Sequence, residues 1–239
     1  MIVDALGWFS DASGPVGGAY SFLGQSRVMD TRNTGAIPAR TAIEVPFTYF
    51  NQYPAPIVNL TVASSSQSGW VSLFPTGSVP PGTAPASSNV NFPGGTIVPN
   101  LAVGTTNGSG KLSVYNGSAA PIHLVIDNMG AFDNGTPASG IGLYRSTRPF
   151  RGYDSRDPGR PGRLGPGSVF TLNLAGAVPD DAKGIVLNVT VTDTDSQSFL
   201  TVWPGGQAAI PDTSNLNWRG GETVASQVIV PVDATRSLK

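Results

Sequence analysis

The chain has 239 residues, sets 14 Lys plus Arg against 15 Asp plus Glu, and is only 12% charged. A net charge of −1 gives no field strong enough to hold nucleic acid or to draw the chain to an anionic membrane, so both partners are set aside. There is no cysteine, which removes disulfides, thiol catalysis and cysteine-ligated zinc, and no apolar run reaches the roughly 20 residues that span a bilayer.

Thirty Gly and 21 Pro among many Ser, Thr, Asn and Val are poor helix interiors but good strand faces and turns, so the chain reads as all-β. The 39% hydrophobic content suffices for a core. The first element in chain order is a strand at 2–9, "IVDALGWF". Next comes "RVMDTR" at 27–32, then "VNLTV" at 58–62, "GWVSLFPTG" at 69–77 and "SNVNFPGGTIVPNLAV" at 88–103. The stretch 110–132 closes the series with "VIDNMGAF".

From there the series runs again. "RGYDSR" stands at 151–156, "LNVTV" at 187–191, "SFLTVWPGG" at 198–206 and "SNLNWRGGETVASQVIV" at 214–230. Order is kept, and length changes fall between the blocks, where loops absorb them. The chain is therefore a tandem duplication. The strand phase is kept as well: Val58, Leu60 and Val62 point inward where Leu187, Val189 and Val191 do, with Asn59, Thr61, Asn188 and Thr190 toward water. Because a one-residue slip reverses every side chain, equal phase in two diverged copies implies equal register.

The expected fold is two tandem antiparallel β-sandwiches, Ig-like or jelly-roll-like. No segment reads as a helix, since 118–130 is interrupted by Pro121. "VDALGWF" at 3–9 matches "IDNMGAF" at 126–132, so the chain opens on a closing strand. The expected division is 1–12 as the closing strand of a preceding or complementing unit, 13–135 as the first repeat, and 136–239 as a second repeat lacking its final strands. Ile2, Val3, Trp8 and Phe9 are the candidate interface residues. They would fill the gap in the chain's own second unit or in a neighbouring copy by strand addition.

The sharpest candidates for chemistry are Asp30 with Arg32 and Asp154 with Arg156. One reading is a carboxylate working with a guanidinium at a site. The other is an Asp that caps a turn while the Arg fork ties strand ends. Catalysis needs a base, nucleophile or metal that repeats with the pair, and none does, so the structural role is expected. His123 is the single histidine and lacks a nucleophile elbow. Asp193 and Asp195, in the loop "DTD", are weak calcium candidates; the first copy has "SSS" at that place, outside the shared design. Large rings exchange for large rings between the copies: Trp70 with Phe199, Phe74 with Trp203, Phe92 with Trp218. That exchange points to core filling, whereas Trp8 answers to Ala131. "SNVNF" and "SNLNW", each followed by Gly-Gly, read as polar ladders entering a turn. Sequons at Asn59, Asn107, Asn116, Asn134 and Asn188 are expected by chance where Asn, Ser and Thr abound.

Taken together, "RVMDTR", "LNVTVT", "FLTVWPGG", "SNLNWRGGETVASQVIVPV" and "VIDNMGAF" resemble a repeat found in tandem in secreted and cell-surface proteins of actinobacteria and related bacteria. Its units read Leu-Asp-Thr-Arg, Asn-Val-Thr, Tyr-Pro-Gly, Ser-Asn-Leu-Asn-Phe and a closing Val-Asp-x-x-Gly-Tyr-Phe strand. The likeness covers nearly the whole chain. It departs where Val28 and Met29 replace leucines and where Tyr153 precedes Asp154. The resemblance implies a non-catalytic extracellular module, often appended to wall hydrolases or peptidases, and brings no ligand with it. The expected function is a structural or adhesive array outside the cell, self-associating or joined to neighbouring repeats, with assembly into filaments by strand complementation. A bacteriophage decoration or fibre protein, and a carbohydrate-binding module for surface glycans, are the alternatives.

Overall fold

The computed structural model describes residues 2–10, 19–45, 47, 53, 55–85, 88–104, 106–132 and 143–239, with 2–10 and 143–149 described as backbone alone. The elements in order are β1 (Ile2–Ser10), β2 (Tyr20–Ser21), β3 (Ser26–Asp30), α1 (Thr31–Thr34), β4 (Ala42–Val45), β5 (Ala55–Ser65), β6 (Gly69–Pro75), β7 (Val90–Phe92), β8 (Val98–Val103), β9 (Leu112–Asn116) and β10 (Ile122–Phe132). They continue with β11 (Leu143–Asp154), β12 (Leu172–Asn173), β13 (Gly184–Val191), β14 (Ser198–Leu200), β15 (Leu216–Trp218), β16 (Val224–Pro231) and β17 (Ser237–Leu238). Between the strands other than β2, every pairing is antiparallel, and the fold is all-β. One helical turn, α1, departs from the sequence expectation: four residues carry no periodicity, and Asp30 nucleates the turn as its N-cap.

The chain divides into two compact units: Phe22–Asn134, the first unit, and Gly135–Lys239 together with Met1–Ser21, the second. In the first, β10 lies between β3 and β5, and β8 follows β5; the other sheet runs β4-β9-β6-β7. In the second, the order is β11-β1-β13-β16. The facing layer is broken into pairs β12-β17 and β14-β15. These pieces are joined through Trp203 and Lys239, whose backbones exchange hydrogen bonds at 2.9 and 2.8 Å, and through a bridge from Pro204 to Leu238. Element for element the orders agree, with β1 standing where β10 stands.

Register carries the point further than order. Asp127 faces Asn59 and Gly130 faces Ile57, with a bulge between Asn128 and Gly130. Asp4 faces Asn188 and Gly7 faces Val186, with a bulge between Ala5 and Gly7. On the other edge, Ile126 and Asp127 pair with Met29 and Arg27 across a register shift; Val3 and Asp4 pair with Tyr153 and Arg151 across the same shift. Two irregularities kept at identical positions fix β1 as the counterpart of β10.

Each unit has its own core between its sheets. Val58, Leu60, Val62, Val71, Leu73, Phe92, Leu112 and Leu124 meet in the first; Leu187, Val189, Val191, Val202, Leu216, Val228 and Leu238 meet in the second. Each fully buried leucine contributes on the order of 2 kcal/mol. One expectation needs correcting. Asn59 and Thr61, read as facing water, are buried in the folded chain. Asn59 lies across from Asp127, whose buried carboxylate meets the Arg27 guanidinium at 2.9 Å, so this second face of β5 is polar but enclosed.

The "SN-N" blocks act alike in both copies. The Asn89 Oδ1 accepts from the Leu73 N–H at 2.6 Å, and the Asn215 Oδ1 from the Val202 N–H at 2.7 Å. A side chain thus completes the ladder where the edge strand turns away. Gly95 and Gly221 follow with φ of 70° and 79°, and each donates its N–H across the hairpin at 2.6 Å, to Ser65 and Thr194. Only glycine adopts that conformation without strain.

Candidate functional site: the repeated aspartate–arginine clamp

Asp30 ends β3 with extended backbone, φ −139° and ψ 100°, so its side chain folds back over the first turn of α1. Its Oδ1 accepts from the Arg32 backbone N–H at 3.1 Å and from Arg32 Nε at 2.9 Å, and its Oδ2 accepts from Arg32 Nη2 at 2.6 Å. Asp154 repeats the set on Arg156 at 3.0, 2.9 and 2.7 Å. A further guanidinium stands at each Oδ2, Arg27 at 3.6 Å and Arg151 at 3.1 Å. The carboxylates are nearly enclosed, while the arginines paired with them are about half exposed.

The turn behind the clamp is also shared. Gly35 N–H donates to Thr31 O at 2.9 Å, and Gly162 N–H donates to Ser155 O at 2.9 Å. The second copy loops out extra residues between these points without disturbing the closure. Thr31 is buried, and its Oγ1 accepts from the Leu124 N–H at 2.7 Å. His123 places Nδ1 3.0 Å from Thr31 O and 3.4 Å from Thr31 Oγ1. The histidine is thus tied to the turn.

Chemically the clamp is closed. Both oxygens of each aspartate are engaged by the guanidinium two residues on, with that residue's peptide N–H at Oδ1 and a second guanidinium beside Oδ2, in charge-assisted contacts. The Arg32 side chain, aided by its backbone N–H, holds the Asp30 carboxyl below the usual range, and Arg156 does the same for Asp154. A carboxylate so stabilised is a poor proton acceptor near neutrality. A comparison with family models, curated proteins and solved structures finds no match. The reading of this site therefore rests on its geometry.

The other candidates are spread apart. Asp193 and Asp195 converge on Arg163, with Oδ2 atoms 3.5 Å from Nε and 2.6 Å from Nη2. A calcium ion there would have to displace that guanidinium and find further oxygens. Among the described residues, no group of three or more His, Cys, Asp or Glu gathers. Asp180 is likewise paired, with Arg236 at 3.0 Å. Ile2, Val3, Trp8 and Phe9 take their places in β1 by backbone pairing, Trp8 opposite Arg145 and Ile185; their side chains lie outside the described residues. Of the sequon asparagines, Asn59 and Asn116 are buried and Asn134 lies outside the described residues.

The ring exchanges divide. Phe92 and Trp203 are buried, and Trp218 packs on the second core. Phe199, expected in a core, is instead 60% exposed. Its counterpart Trp70 lies against Tyr115, centroids 5.3 Å apart, and against Gly117, where any side chain would overlap the indole. Exchange of aromatic for aromatic reports volume, not what covers the ring. The buried Arg27–Asp127 pair escaped the sequence reading, although Arg27 and Arg151 repeat, as do Asp127 and Asp4.

Proposed function

We propose that this protein is a non-catalytic, extracellular structural or adhesive module built from two copies of one β-sandwich repeat. What supports the reading is the clamp: the most distinctive repeated letters are spent, in both copies, on holding strand ends and a turn, with each carboxylate already engaged by guanidinium and backbone N–H. The resemblance to the tandem repeat of actinobacterial surface proteins points the same way, as do the wholly β architecture and the low charge. In such a module the loops and strand edges face partners, and the duplicated clamp keeps those edges in register.

The experiment is localisation in the native cell. A tagged protein should be found in wall and culture fractions and should be removed from intact cells by an external protease. Retention in the cytosol, or co-purification in fixed proportion with phage particles, would sink the reading. The clamp itself is tested separately. Arg32→Ala and Arg156→Ala should lower thermal stability while leaving any binding to a surface glycan or wall preparation unchanged. Loss of binding at full stability would mean that the clamp is a recognition site.

A further inference from the structure

The first unit contains the triplet Asn-Gly-Ser twice, at 107–109 and at 116–118. An asparagine side chain followed by glycine is open to attack by the next peptide nitrogen, because glycine has no Cβ to obstruct the approach and its backbone turns freely. Identical neighbours make the two sites alike in an unfolded chain. Any difference between them belongs to the fold.

Asn107 starts a turn at the surface. Its Oδ1 accepts from the N–H groups of Ser109 and Lys111, both at 2.9 Å, and its Nδ2 donates to Thr76 O at 2.9 Å. The bond to Ser109 folds the side chain back over the Gly108 peptide, and the two N–H donors stand where negative charge gathers when Cγ is attacked. Gly108 is exposed, and among the described residues no hydrogen bond holds its N–H. A Cβ there would meet nothing within 4 Å. Asn116 builds the same letters into a closed site. Its Oδ1 is likewise held, by the Ser118 N–H at 2.9 Å and the Ser118 hydroxyl at 2.8 Å, so that feature does not separate the two. The rest does. The Asn116 Nδ2 donates to Ile37 O, Pro38 O and Ala120 O at 3.1, 3.0 and 2.9 Å, and the Gly117 N–H donates to Trp70 O at 2.8 Å. Residues 116–118 are buried, with the Trp70 indole against Gly117. Leaving group, nucleophile and water are all withheld.

We propose that Asn107 is a site of spontaneous deamidation in the folded protein, and that the fold protects Asn116 from the same reaction. The Gly108 N–H gives its proton to solvent base while its nitrogen bonds to Asn107 Cγ. The bond from Cγ to Nδ2 then breaks, and the amide leaves as ammonia after taking up a proton. Water opens the resulting cyclic imide at either carbonyl, leaving an aspartyl or isoaspartyl residue at 107 and adding one negative charge to a chain of net charge −1. The second unit shows that a carboxylate fits this turn, since Asp233 accepts from Thr235 and Ser237 as Asn107 does from Ser109 and Lys111. The other oxygen differs. In Asp233 it accepts from the Ser237 hydroxyl at 2.8 Å, and Lys111 holds the place of that serine without a hydroxyl. An oxygen standing where Nδ2 stood meets Thr76 O with no proton between them, so conversion releases the turn from the residue that follows β6. The reaction depends on this turn alone, wherever the protein is displayed.

The test ages the full chain in mildly alkaline buffer, once folded and once in urea, and follows both triplets by mass spectrometry of proteolytic fragments, which reads the exchange of NH2 for OH. In the folded chain Asn107 should convert at least about tenfold faster than Asn116, where hydrogen bonds to both the amide and the attacking nitrogen must first break. In urea the two rates should come together. Gly108→Ala places its methyl in open space at a backbone outside the left-handed region, so the variant should fold with unchanged Tm and convert at 107 about tenfold more slowly. Equal rates at the two sites in the folded chain overturn the proposal, as does an intact Asn107 in folded protein after the chain in urea has converted. A Gly108→Ala variant that folds and converts at the parent rate also overturns it, since the Gly108 nitrogen would then not be the attacking group.

Discussion

The two units are the same sandwich assembled by different routes. In the first, β10 follows its neighbours along the chain and inserts between β3 and β5; in the second, the equivalent strand comes from the other end of the polypeptide. Both routes reach one register, with both irregularities in place. The fold is therefore specified by which edges fit which strand, and chain order decides only how the strand is delivered. The facing layers differ too. β4-β9-β6-β7 is a continuous sheet in the first unit, whereas its counterpart is held in two short pairs.

The largest effect should come from removing the delivered strand. Deletion of residues 1–10 takes the strand between β11 and β13 and leaves two rows of backbone groups unpaired, a loss that exceeds the roughly 5–15 kcal/mol holding an ordinary domain together. Amides of β13 and β16 should exchange at unfolded rates while those of β5 and β8 stay protected. Persistent protection across both units would break the equivalence of β1 and β10.

Next in size is the ion pair on the polar face of β5. Arg27→Ala leaves the Asp127 carboxylate, whose side chain is 0% exposed, without its guanidinium, which should cost about 3 kcal/mol in urea denaturation of the first unit. Arg151 is the positional match of Arg27, but its side chain is 48% exposed, so Arg151→Ala should cost only about 1 kcal/mol. Equal losses would contradict the difference in exposure. The ladder asparagines come third. Asn89→Ala and Asn215→Ala each remove the acceptor of one backbone N–H, for about 2 kcal/mol at the buried Asn215–Val202 bond and less at the part-buried Asn89–Leu73 bond.

These sites also mark what could be read from the letters. Strand phase, the Gly-Gly turn and the Asn ladder were legible because each rests on local geometry written twice. The exposure of Phe199 and the burial of Asn59 were not. Both depend on what stands opposite, and a period-two pattern says which face a residue takes without saying whether that face meets water. Whether β1 closes its own unit was likewise undecided by sequence, since the same strand fits the same edges whichever chain supplies it. The structure pairs it within its own chain. The one-turn helix was invisible because its signal is a single capping aspartate.

A smaller and opposite effect is expected at Tyr153. It occupies the place of Met29, is buried against Phe170 with Arg160 over the ring, and its hydroxyl has no hydrogen-bond partner among the described residues. Burial pushes that hydroxyl's pKa up. The methionine in the first unit shows that the site accepts an apolar residue. Tyr153→Phe should therefore stabilise the second unit by about 1 kcal/mol; a loss would mean that a bound water satisfies the hydroxyl.

The smallest difference concerns acid. One turn is built on an amide in the first unit and on a carboxylate in the second. Asn107 Oδ1 accepts from the N–H groups of Ser109 and Lys111, both at 2.9 Å; Asp233 Oδ1 accepts from those of Thr235 and Ser237, both at 2.9 Å. The Ser237 N–H, with the Thr235 and Ser237 hydroxyls, lowers the Asp233 carboxyl to about 2. A folded-state pKa below the unfolded value of about 3.9 gives stability that is present above pH ~4 and lost as pH falls toward ~2. Asp30 and Asp154 add the same sign to both units, the larger lowering falling on Asp154 in the second. Asp233 adds to the second unit alone, and the second unit should lose stability first on acidification, by a few degrees in melting temperature. Asp233→Asn, which copies the first unit's turn, should flatten that acid limb by lowering Tm at pH 7 toward the value the parent reaches in acid. If the variant instead falls with acid as the parent does, the amide and the carboxylate are not interchangeable at this turn, and the two units differ there in more than charge.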